Sequence, residues 1–128
     1  MKIVMDTHVF LWWIWNSESL SNKSREILLD EDCECYLSVA SMWELSIKVG
    51  LGKLTLAKPL DRFLSDHMAN NGFCRLDITL PHVAGVSTLP FHHRDPFDRL
   101  LISQAMLERM PILGADKIFD AYGVERLW

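Results

Sequence analysis

Five short apolar runs alternate with helical stretches from one end of this chain to the other, and that alternation restricts the folds open to it. The runs are KIVM at residues 2–5, CYLSV at 35–39, FCRLDI at 73–78, PILGAD at 111–116 and YGVERL at 122–127. They are too short for buried helices, and the polar–apolar alternation of a strand with one wet face is nearly absent. Strands of this kind are covered on both faces, as in a parallel sheet between helical layers. A β-sandwich or barrel is disfavoured. With 128 residues, the chain fits a single domain over 1–128, long enough to bury a core without disulfide or metal support.

Between the runs, helical signals are legible. VFLWWIW at 9–15 continues from the first strand, and SNKSREILLDED from Ser21 reads as an amphipathic helix with a serine cap. ASMWELSIKV follows the second strand directly, with Ser41, Glu44 and Lys48 on one face and Met42, Trp43, Ile47 and Val49 off that stripe. The glycines and Pro59 of GLGKLTLAKP forbid a continuous helix there. A helix over 60–70 ends at NNG, a short one spans 81–86, and another begins within HHRDPFDRLL and reaches about residue 109.

Composition excludes several classes. The seven residues of VFLWWIW cannot span a bilayer and follow no basic segment, which points to a cytoplasmic protein without a membrane anchor. Cys33, Cys35 and Cys74 are odd in number and form no paired zinc pattern, so buried thiols in a reducing compartment are expected. The formal charge of −4 argues against a broad basic surface for duplex DNA, although acids gathered around a divalent cation would account for part of it.

The acids carry the chemistry. Asp95 and Asp98 bracket Pro96, and both suit a helix start: one as N-cap, the other as a carboxylate in the first turn. Asp6 and Asp116, however, stand at the carboxyl ends of two strands, the edge where open parallel sheets place ligands. Glu44 lies on a helix entered directly from a strand, and alone it reads as a solvated i,i+4 partner of Lys48. Together, Asp6, Glu44, Asp98 and Asp116, with Asp95 alongside, form a set of like charges that needs protons or a cation. Oxygen donors select Mg2+ or Mn2+, the ions of phosphoryl chemistry.

The motifs MDTHVFLWW, SVASMWELSIKVGLGKL, FHHRDPFDRLLISQA and ILGADKIFDAYGV resemble the PIN-domain family, in particular VapC-type toxins of bacterial toxin–antitoxin pairs, in order and over essentially the whole chain. The resemblance implies a three-layer α/β/α sandwich with a central, mainly parallel sheet and a Mg2+- or Mn2+-dependent ribonuclease that uses metal-activated water. It implies the quartet Asp6, Glu44, Asp98 and Asp116 as catalytic and metal-binding acids, Asp95 as an accessory acid, and Thr7 and Ser41 as supporting hydroxyls. Where the family commonly has Thr or Ser two residues before the last acid, this chain has Gly114, which leaves the orientation of Asp116 without that hydroxyl.

Lys48, Lys53, Arg94 and Arg99 are candidates for a basic rim along an RNA backbone, each otherwise an ordinary solvated charge. His92 and His93 either touch phosphate at that rim or lie on the surface, and His8 either edges the site or caps the helix. Family likeness further implies a small antitoxin that covers the site and a homodimer. Trp12, Trp13 and Trp15 suit either such an interface or the core. Two other classes compete: a PIN-like module that binds antitoxin or RNA without cutting, and a phosphohydrolase of small phosphate esters. The second lacks a D-x-D motif and a glycine-rich phosphate loop.

Overall fold

A computed structural model describes residues 1–128. The strands are β1 (Lys2–Met5), β2 (Glu34–Ser38), β3 (Cys74–Leu76), β4 (Ile112–Leu113) and β5 (Arg126–Leu127). The helices are α1 (Thr7–Ile14), α2 (Asn22–Leu29), α3 (Val39–Gly50), α4 (Leu60–Asn71), α5 (Leu80–Val86) and α6 (Pro96–Glu108), with a 3₁₀ turn over Lys117–Tyr122. All five strands are parallel, in the order β3-β2-β1-β4-β5. The expected α/β/α architecture is therefore what the chain adopts.

Alternation along each strand builds two cores. Ile3, Met5, Cys35, Leu37 and Leu113 point into one face, where Val9, Phe10, Leu45 and Phe63 from α1, α3 and α4 cover them. Val4, Leu76 and Ile112 point into the other, against Leu101, Ile102 and Ala105 of α6 and Phe119 of the 3₁₀ turn. Both faces of the sheet are thus dry, which is why its strands lack polar alternation. The N-terminal tryptophans divide: Trp12 and Trp13 pack against the first core, while Trp15 is exposed. The cysteines are free; Cys35 is buried as expected, whereas Cys33 and Cys74 are only half-buried. No helix is long and apolar enough to cross a membrane.

Strand order sets the site. The chain runs from central β1 outward through β2 and β3, then returns to place β4 and β5 on the other flank. Between β1 and β4 the winding reverses, leaving a crevice outside their carboxyl ends. The Asp6 N–H donates to the Leu113 carbonyl at 2.9 Å and ties those two ends together.

Candidate metal centre

Asp6 follows β1 and is the N-cap of α1, yet its side chain makes no capping hydrogen bond, so the buried carboxylate is left for the crevice. His8, on the exposed side of the first turn, brings Nδ1 to 3.7 Å from Asp6 Oδ2, and that contact raises the imidazole above its ordinary pKa. Gly114 closes the crevice from β4. A Cβ there would lie 3.3 Å from the Asp6 Cβ and 3.4 Å from the Phe119 ring. A side chain at 114 would therefore be tight against Asp6 and Phe119, and one of them would have to give way by a few tenths of an ångström.

Glu44 is held from both sides. Its Oε1 lies 2.8 Å from Thr7 Oγ1, which is also 2.8 Å from Ser41 Oγ. Thr7 has a single hydroxyl proton, so donating it to the carboxylate leaves a lone pair to accept from Ser41. Lys48 Nζ lies 3.2 Å from Glu44 Oε2. The i,i+4 pair is real, but it is not a solvated face: Ser41 and Glu44 are buried, and Trp43 on the same helix is exposed instead. The α3 stripe turns inward because Thr7 meets it there.

Asp98 enters from the first turn of α6. The cap of that helix is Asp95, whose Oδ1 accepts from the Phe97 and Asp98 N–H groups at 2.9 and 3.2 Å, with Pro96 in the first turn. Asp95 is thus engaged with the helix end, while the Asp98 side chain is free to reach the crevice. Burial pushes the Asp98 carboxyl up to about 6, opposed by a hydrogen bond from His93 and reinforced by the Asp6 and Asp95 charges. Asp116, exposed at the start of the 3₁₀ turn, has Oδ1 accepting from the Ile118 N–H at 3.0 Å, which orients it without any hydroxyl at position 114. Ligand atoms of His93, Asp98 and Asp116 all lie within 4.8 Å of one another.

Two lobes therefore face the crevice: Asp6 with the Thr7–Ser41–Glu44–Lys48 chain, and His93–Asp98–Asp116. Carboxylate oxygens gathered from both lobes, with Asp6 and Glu44 buried and Asp98 partly so, fit a divalent cation of the Mg2+ or Mn2+ type.

Of the expected rim, Lys53 and Arg94 are exposed and Lys48 is taken up by Glu44. Arg99 is not at the rim. It is buried, with Nη1 2.8 Å from the Pro90 carbonyl and 3.3 Å from both the His93 carbonyl and Tyr122 Oη. Its Nη2 donates to the Val86 and Leu89 carbonyls at 3.2 Å. A guanidinium carries five donors, and the carbonyls of the 86–93 segment converge to use them. His93 and Tyr122 are the residues that sequence reasoning underweights. The available signal is His93 standing five residues before Asp98 in a proline-bounded loop.

The Asp98 shift has a pH consequence. Its folded pKa of about 6 exceeds the model-peptide 3.8, so the folded state holds more protons between those values. Stability of the metal-free protein is therefore expected to rise as pH falls from 7 through 6 toward 5. Asp66 and Asp120, held low by Lys58 and Arg126, lose their contributions only at lower pH. Thermal unfolding in chelator at pH 7, 6 and 5 checks this. A melting temperature that falls steadily over that range would contradict it.

A family model for the PIN domain matches residues 3–125. Among solved structures, VapBC2 from Rickettsia felis, bound to a promoter DNA fragment, superposes with a TM-score of 0.74 at 14% identity, covering 99% of this chain and 98% of that one. FitAcB from Neisseria gonorrhoeae gives 0.67 at 17%, covering 100% and 97%. A toxin–antitoxin complex from Klebsiella pneumoniae gives 0.60 at 15%, covering 91% and 89%. No curated protein matches by sequence. At such identities the structures speak for the fold, and with the match spanning nearly every residue the chain belongs to the PIN-domain family.

Proposed function

We propose that this protein is a divalent-metal-dependent endoribonuclease, the toxin of a VapBC-like pair, with Asp6, Glu44, Asp98 and Asp116 as its acidic set. One observation supports the reading most: Asp98, beside Asp116 and His93, is buried enough to be pushed up to about 6, with the Asp6 charge among the causes. A fold that brings like charges together at a partly buried crevice sustains a cost that a bound cation would remove.

Asp6, Glu44, Asp98 and Asp116 would hold the ion. When bound, Mg2+ or Mn2+ supplies Lewis-acid charge for phosphodiester hydrolysis. Thr7 and Ser41 orient Glu44 through the hydroxyl chain. The Ile118 N–H orients Asp116. Exposed Lys53 and Arg94 are the cations of the proposed rim left free for an RNA backbone.

The structural neighbours from Rickettsia felis and Klebsiella pneumoniae were solved as VapBC2 and as a toxin–antitoxin complex. By analogy, a small antitoxin is the expected protein partner here, and exposed Trp15 and Trp43 are available to it or to a second copy of the chain. One feature favours a non-catalytic binding module: both Glu44 oxygens already have partners.

Incubating the purified chain with single-stranded RNA separates these readings. Cleavage is expected with Mg2+ or Mn2+ and should stop with chelator, returning when metal is restored. Calorimetric titration with Mn2+ should show saturable heat. No cleavage and no heat would leave the binding module standing.

A further inference from the structure

The loop before α6 brings to the crevice a group that the acidic set leaves out. His93 is half-buried, and its Nε2 lies 2.7 Å from Asp98 Oδ2. Its own main chain is fixed on both sides. The His93 N–H donates to Tyr122 Oη at 2.9 Å, and its carbonyl accepts from buried Arg99 at 3.3 Å. Tyr122 in turn donates to the Pro90 carbonyl at 2.9 Å. Neighbouring His92 is exposed and only touches the Tyr122 ring edge, so the loop selects one histidine of the pair for the crevice.

Asp98 needs such a partner. Its main chain is fixed by Asp95, but the terminal torsion of an aspartate is broad, so the carboxylate plane is free to turn. A donor on one oxygen removes that freedom. We propose that His93 is the positioning residue of the metal centre, its Nε2–H holding Asp98 Oδ2 and leaving the other oxygen to the cation. The inference rests on the metal-centre reading above and deepens it. Arg99 and Tyr122 act one step further out, by setting the loop that presents the imidazole.

Outer partners of ligating carboxylates typically change metal affinity by about 10–100-fold. Mn2+ titration of the whole purified chain by calorimetry reads this directly. His93→Ala should bind Mn2+ about 10–100-fold more weakly than the parent. His93→Gln, which keeps an N–H at similar reach, should recover most of the loss, and Tyr122→Phe should fall between. Should the alanine variant not fold, His93→Leu takes its place with the same expectation.

Equal Mn2+ affinity in the parent and in a folded His93→Ala or His93→Leu variant overturns the proposal. So does a failure of His93→Gln to recover affinity. Pulsed electron paramagnetic resonance of the Mn2+-loaded parent should show no imidazole nitrogen coupling; such a coupling would make His93 a ligand and overturn the positioning role. Absence of saturable Mn2+ binding in the parent itself would defeat the metal-centre reading, a result distinct from any difference among the variants.

Discussion

Asp6→Asn is expected to abolish RNA cleavage, by about a thousandfold or more, while the protein folds as stably as before or more so. The two halves of that expectation come from one geometry. Asp6 sits at the end of the central strand, at the switch point of the sheet, and its carboxylate caps nothing. Asparagine keeps the shape and removes the charge, so no structural hydrogen bond is lost. What disappears is repulsion, because the Asp6 charge is among the causes that push Asp98 up, against the loss of one contact to exposed His8. Cleavage assays with Mg2+ and thermal unfolding in chelator measure the two effects separately. Retained metal-dependent cleavage would remove Asp6 from the centre, and a marked fall in melting temperature would show that its role is structural.

Arg99→Met should have the largest effect on the fold. The methionine matches the length of the stem but brings no donors to the carbonyls of Val86, Leu89, Pro90 and His93, which converge on the guanidinium. The Pro90 and Val86 carbonyls keep donors from Tyr122 and the Leu89 N–H, so the cost falls mainly on the Leu89 and His93 carbonyls, at about 1–3 kcal/mol each. In a domain of this size a total of a few kcal/mol corresponds to a fall in melting temperature on the order of 10 °C. Cleavage should fall too, since the loop presenting His93 loses its anchor. A variant melting within a few degrees of the parent would show that the network is dispensable.

Much of this arrangement is legible in the sequence because it depends on local pattern. The apolar runs became strands because both faces of the sheet are covered, and the sequence boundary at KIVM coincides with β1. Asp95 and Pro96 act as the helix start that their spacing suggests. Asp6 is legible because a charge directly after a buried strand has few places to go. What escaped is what depends on loop closure. Arg99 reads as a solvated charge, since arginine is rarely buried, and nothing in its spacing reveals that carbonyls as far back as Val86 curl around it. His93 escaped for the same reason, its partner being fixed by that loop. The α3 stripe was misleading in another way. Polar residues at helical spacing suggest water, but here the polar side faces the crevice and Trp43 faces out.

Lys48 gives the resting protein a monovalent stand-in. Its ammonium rests on one Glu44 oxygen while Thr7 occupies the other. On the proposed reading, a divalent ion held by Glu44 would share that carboxylate with the Lys48 ammonium or take its place. If displaced, the lysine would remain tethered to α3 beside the crevice, a cation within reach of an anionic substrate.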